Sequence, residues 1–204
     1  MKTHVTGVLA LMFVAIAGLS VPAAAQPGPR EGIKVHGRWT IEVRNPDGTL
    51  ASRHEFNNSL VVSGGAGSGA LVGLLGRAFR GIRQWQIGLN GPADQENGPC
   101  GARDISRVFE ASCRIEERLD GGAPAVGDLT VTVPGGLPHL VLSGAIRTTT
   151  AVPIVFVQTV IHPCFDAACS VPSLPRQFTS HQLATPIDIA PNQLIDVTVV
   201  LSFS

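Results

Sequence analysis

The chain has 204 residues, 44% of them hydrophobic, and its 15 Lys and Arg balance its 15 Asp and Glu. That apolar content excludes a disordered chain. The basic residues are scattered rather than striped among aromatics, which excludes a nucleic-acid or anionic-membrane face. Tyrosine is absent, so a recognition surface built on aromatic anchors has little to draw on.

The start reads as a secretory signal. Lys2 precedes an apolar stretch from Gly7 to Leu19; Pro22 and Ala23-Ala24-Ala25 follow, which predicts cleavage before Gln26. The stretch is short for a membrane anchor, and no cysteine near the cleavage point indicates a lipoprotein. The organisation expected is a signal over residues 1–25, a flexible lead-in over 26–33 and one domain over 34–204, long enough to bury a substantial core. The chain is therefore expected to be exported, to the periplasm or beyond the cell.

From Lys34 to Arg44 the pattern alternates, with Val35, Gly37, Trp39, Ile41 and Val43 on one face and His36, Arg38, Thr40 and Glu42 on the other. Period two over this length predicts a half-buried strand. Asn45-Pro46-Asp47-Gly48 has turn residues where a type I turn prefers them. Thr49 to Phe56 then returns as the second strand of a hairpin, with Leu50 and Phe56 inward. After a Gly, Ser and Asn-rich stretch to Gly69, residues Leu71, Leu74, Leu75 and Phe79 fall at helical spacing and predict a short helix over 70–79. Gln84 to Leu89 alternates again, with Trp85, Ile87 and Leu89 on one face.

Asn90 to Gly101 reads as loop, Ile105 to Leu119 fits neither period, and Gly121 to Gly127 is turn-rich. Strands resume at Leu129-Val131-Val133, at Leu140-Leu142-Ile146 and at Ile154 to Ile161. The last is apolar on both faces, as a central strand should be. Pro163 to Pro175 is an irregular excursion, and Gln177 to Leu183 is a short strand. The chain closes with Ile195, Val197, Val199, Leu201 and Phe203 on one face. The fold class expected is all-β, a jelly-roll-like β-sandwich with one short helix. The rival is a small outer-membrane β-barrel, which the missing tyrosine girdle and the doubly apolar run from Val155 to Ile161 oppose.

The four cysteines, Cys100, Cys113, Cys164 and Cys169, are even in number, and in an exported chain that points to disulfides. Of three pairings the local ones, Cys100–Cys113 and Cys164–Cys169, are favoured, because each closes a loop bounded by Gly, Pro or Asp. A four-thiolate zinc site competes with them, but it lacks CxxC spacing and needs thiolates that an oxidising compartment removes.

Other chemistry is thin. Gly65 to Ala70 matches GxGxxA, yet no acidic residue follows between Gln84 and Gly91, so a plain glycine-rich connection is the better reading. Neither Ser68 nor Ser143 stands in a G-x-S-x-G elbow. His36 falls on the polar face of its strand and His54 on the apolar face of the next, while His139, His162 and His181 come from separate segments. Glu110, Glu116, Glu117 and Asp120 lie beside Arg114 and Arg118, which reads as a solvated, ion-paired surface. Asp47 alone cannot hold calcium. No catalytic residue, metal or cofactor is called for.

Phe56-Asn57-Asn58-Ser59-Leu60-Val61, Leu74-Leu75-Gly76 and Trp85-Gln86-Ile87-Gly88-Leu89 resemble a pattern in tail-associated β-sandwich proteins of bacteriophage type. The ending, with Phe178-Thr179-Ser180, Pro186-Ile187, Asn192-Gln193-Leu194 and Ile195 to Phe203, is similar to their closing strands. The chain departs from them in its signal and in having Val157-Gln158-Thr159-Val160-Ile161 where they carry a glutamate-glycine-leucine element. It also resembles small exported bacterial proteins of unassigned role. The resemblance implies a β-sandwich.

The function expected is an exported, non-enzymatic module that acts by binding or assembly. Its site is expected on loops at one end, from Asn90 to Gly101 and from Pro163 to Pro175, and its partner is expected to be a protein or surface glycan. A secreted hydrolase is the alternative, and a cleft holding two or more of His54, His139, His162 and His181 would favour it.

Overall fold

A computed structural model describes residues 34–60, 71, 73, 80–92, 97–102, 113–117, 125–135, 139–166, 168–170 and 174–204. The expected signal, lead-in and glycine-rich 65–70 lie outside the described residues, as does most of the expected helix, of which Leu71 and Gly73 are helical. The strands are β1 (Val35–Arg44), β2 (Leu50–Leu60), β3 (Gly81–Asn90), β4 (Asn97–Gly98), β5 (Gly101–Ala102), β6 (Cys113–Glu117), β7 (Asp128–Thr132), β8 (His139–Arg147), β9 (Ile154–Cys164), β10 (Arg176–Ile187) and β11 (Leu194–Phe203). Among the described residues no helix is long and apolar enough to cross a membrane.

The first hairpin forms as its sequence dictates. Gly48 N donates to Asn45 O at 2.8 Å, and Asn45 N to Thr49 O at 2.8 Å. Gly48 has φ +87°, a left-handed conformation that a Cβ disfavours. Asp47 Oδ1 accepts from Thr49 N at 2.9 Å and from Thr49 Oγ1 at 2.6 Å, which holds this carboxyl below its ordinary range. Period two then sets the faces: Trp39, Ile41 and Val43 of β1 and Ile195, Val197, Val199 and Leu201 of β11 are fully or almost fully buried. The two strands pair antiparallel over their whole length, from Val35↔Phe203 to Arg44↔Leu194. Each such side chain stabilises the fold by about 1.5–3 kcal/mol through the area it removes from water. Leu50 is an exception to the expected pattern: it stands at the turn and is 51% exposed.

Nine strands close into one barrel in the order β1-β11-β8-β7-β6-β3-β9-β10-β2, and β4 pairs with β5 apart from it. A ring in which every neighbour is antiparallel needs an even number of strands. Nine therefore force a parallel contact, and it falls at β6–β7. The expected sandwich is corrected accordingly: the sheet is barrel-like rather than two separate layers. The reason is two narrow seams. Among the described residues β6 meets β7 only at Glu116↔Asp128 and Glu117↔Leu129, and β2 meets β10 only at Leu60↔Thr179 and Ser59↔Ser180. Without those four pairs the strands would divide into a β2-β1-β11-β8-β7 sheet facing a β6-β3-β9-β10 sheet. The interior is filled by apolar side chains from both halves, including Ile87, Leu89, Ile115, Leu142, Val157 and Ile161, as small barrels require.

β3 and β9 are buried on both faces. Trp85↔Ile161, Ile87↔Thr159 and Leu89↔Val157 point inward, while Gln86↔Val160 and Gly88↔Gln158 point outward, and all of these residues are buried. β9 is thus the central strand expected. β10 runs to Ile187, beyond the expected short strand, by absorbing a register shift between Gln182 and Ile187.

Both disulfides take the local pairing, Cys100–Cys113 and Cys164–Cys169. The first ties the β4–β5 turn to the start of β6. That turn also docks on the chain leaving β8, where Thr149 N donates to Pro99 O at 3.1 Å. The second closes the chain between β9 and β10.

Candidate functional site

Below their two-residue contact, β2 and β10 part. From Leu50 to Asn58, β2 pairs with β1 alone among the described residues, and from His181 to Ile187, β10 pairs with β9 alone. The gap is a cleft of about 350 Å³ bordered by Arg53, His54, Glu55 and Phe56 on one side and by His181, Leu183, Thr185 and Ile187 on the other.

Its floor is aromatic. Phe56 stacks on Trp39 inside the barrel (ring centroids 5.9 Å apart, planes 12° apart) and on His181 at the cleft (4.8 Å, 16°). His54 reaches back along its strand, with Nε2 3.1 Å from Ser52 Oγ. The closed end is held by a buried polar relay. Asn58 Nδ2 donates to Thr179 Oγ1 at 2.9 Å, and Thr179 Oγ1 lies 2.8 Å from Thr159 Oγ1. Gly37 makes room for it: a Cβ there would stand 2.0 Å from Asn58 Oδ1.

The rim is charged but internally paired. Arg53 bonds Glu55 and Glu42, Arg38 bonds Glu55, and Arg44 bonds both Glu42 and Asp196, in one ladder across β2, β1 and β11. The hydrogen bonds from Arg53 and Arg38 hold the Glu55 carboxyl below its ordinary range. Those to Glu55 and to Asp196 raise the Arg53 and Arg44 guanidiniums. These exposed pairs keep the rim ionised while contributing little to stability.

A second, more open depression of about 600 Å³ crosses β7, β8 and β11, with Asp128, Thr130, Ser143, Asp196 and Thr198 in its lining. Its carboxylates are committed elsewhere: Asp128 Oδ2 accepts from Ala125 N at 2.7 Å, and Asp196 Oδ2 from Arg44 Nε at 2.8 Å.

The two excursions expected to form one loop site do not share an end of the β3–β9 pair. Gly81 pairs with Cys164 and Asn90 with Phe156, so the excursion after Asn90 and the one after Pro163 leave the β3–β9 pair at opposite ends. Of the five histidines singled out, the cleft gathers His54 and His181. His36 is exposed on β1 and His139 starts β8. His162 is half-buried on the outward face of β9, 3.3 Å from Gln86 Oε1. Arg114 and Glu116 form an ion pair at 3.6 Å, while Glu110, Arg118 and Asp120 lie outside the described residues. No group of three metal-ligating side chains occurs among the described residues. Sequence reasoning missed Phe56 as the floor of a cleft. The available signal was His54 in the inward register of β2, two residues from Phe56. Compared with known proteins, the chain matches no family model, no curated protein and no solved structure.

Proposed function

We propose that the protein is an exported, non-enzymatic binding module whose ligand enters the cleft between β2 and β10. The observation that carries this reading is the opening itself: a barrel filled with apolar side chains has its wall parted where Phe56, His54 and His181 border a ligand-sized gap. Two disulfides support folding in an oxidising compartment. An apolar interior with Arg38, Arg53 and Glu55 on the outside supports a water-facing wall, the reverse of a membrane barrel.

A hydrolase is the second reading, favoured by the Ser52–His54 contact at 3.1 Å and by the two histidines in one cleft. A nucleophile and base need a third group to orient the base, and the nearest carboxylate in sequence, Glu55, is bonded to Arg38 and Arg53 instead. Binding is therefore preferred. The deciding experiment maps amide shifts while the protein is screened against short peptides, oligosaccharides and chromogenic esters. Perturbation centred on 53–56 and 181–187 without turnover is expected. Ester turnover lost in Ser52→Ala would establish the hydrolase, and shifts confined to other surfaces would remove the cleft from consideration.

A further inference from the structure

The borders of this cleft are strand edges, and that constrains what can fill it. We infer that the ligand is an extended polypeptide segment of a partner protein, which adds to the outer edge of β2 as an antiparallel strand and bridges towards β10. The inference rests on the binding reading and names its partner class.

From Leu50 to Asn58 the outer edge of β2 enters no ladder among the described residues, and its main-chain N–H and C=O groups call for partners that only another backbone supplies at regular spacing. Edges left open in this way are normally blunted by proline, by a bulge or by charged side chains, lysine above all, and the charged side chains of β2, Arg53 and Glu55, neutralise each other. β2 has no proline or lysine in Leu50–Leu60. Its only register shift lies opposite Val43 and Arg44 at the turn. β10 is blunted: Pro186 removes a donor, and a register shift spans Gln182 to Ile187. The two walls are thus unequal, with β2 the template and β10 the side wall.

Alternate side chains of an added strand would point inward onto Phe56, Leu183 and Ile187, and the others outward past Arg53 and Glu55, which are already paired. The segment recognised is therefore one that alternates apolar and polar residues and carries little net charge. A volume of about 350 Å³ admits the side chains of a short stretch, so affinity comes chiefly from main-chain hydrogen bonds, as in other strand-addition complexes.

The test pans random octapeptides displayed on phage against the disulfide-bonded protein. It then compares the best binder with versions N-methylated at alternate residues, which remove donors on one edge of the peptide at a time. Methylation in one register should weaken binding tenfold or more and in the other register hardly at all. Amides on the outer edge of β2 should exchange rapidly in the free protein and become protected with the peptide bound. Equal tolerance of methylation in both registers, or no peptide binding at the cleft, would overturn the inference. If an oligosaccharide alone then shifted residues 53–56 and 181–187, strand addition would fail while the binding cleft stood. If nothing shifted them, both would fail.

Discussion

Thr179 is a buried polar side chain shared between three strands. Its hydroxyl joins Asn58 from β2 to Thr159 from β9 in a fully buried site, next to the two residue pairs that link β2 to β10 among the described residues. Thr179→Val keeps the shape but leaves the Asn58 amide buried without its acceptor, a loss of about 1–3 kcal/mol. Urea denaturation should show the unfolding free energy falling by that amount and the midpoint moving down with it; an unchanged midpoint would mean that water replaces the relay. His162 gives the second prediction. Burial lowers its pKa from 6.5; Arg83 and Arg114 add to the shift and Glu116 opposes it. The unfolded chain therefore takes up a proton near 6.5 that the folded chain accepts only at lower pH. Stability is then greatest above that value and declines as pH falls towards the folded pKa. His162→Gln, which titrates in neither state, should flatten the decline in chemical denaturation measured at stepped pH.

Among elements, the two disulfides act on different lengths of chain. Cys100 and Cys113 are 13 residues apart and Cys164 and Cys169 are 5 apart. On the chain-entropy account, replacing the first pair by serine should cost about 3 kcal/mol and the second about 2 kcal/mol. The first loss should also release the β4–β5 turn, so that the Thr149 amide, now bonded to Pro99 O, exchanges faster. Comparing the two double variants by denaturation and hydrogen exchange checks both size and order. Several elements were legible in advance because their signal is local. β1 and β11 declare their inward faces by period two, β9 by apolar residues on both faces, and the first turn by Pro46 and Gly48. Leu50 departs from the expected inward face because the register slips between Val43 and Arg44, which sets Leu50 opposite Arg44 rather than over the core. β10 continues past the expected end at Leu183 because a register shift with β9 carries it through Pro186 to Ile187.

In the whole molecule, cohesion is uneven around the ring. β1 pairs with β11 from end to end and β11 with β8 from Leu194↔Arg147 to Ser202↔His139, whereas each seam holds two pairs. Native-state hydrogen exchange should therefore find β1, β11 and β9 opening only with global unfolding. Glu116, Glu117, Ser59 and Leu60 should open at lower free energy; uniform protection around the ring would show that the seams are as strong as the rest. Composition and pattern alone determined an all-β core and its inward faces, because each depends on neighbours within one strand; they favoured the local disulfide pairing, which the structure then selected among three. Closure was decided only in three dimensions. Asn58 and Thr179 are 121 residues apart, and period two says which face of a strand turns inward but not which edge meets which. The barrel, its two narrow seams and the cleft where His54 and His181 converge all follow from that edge pairing, which no local pattern encodes.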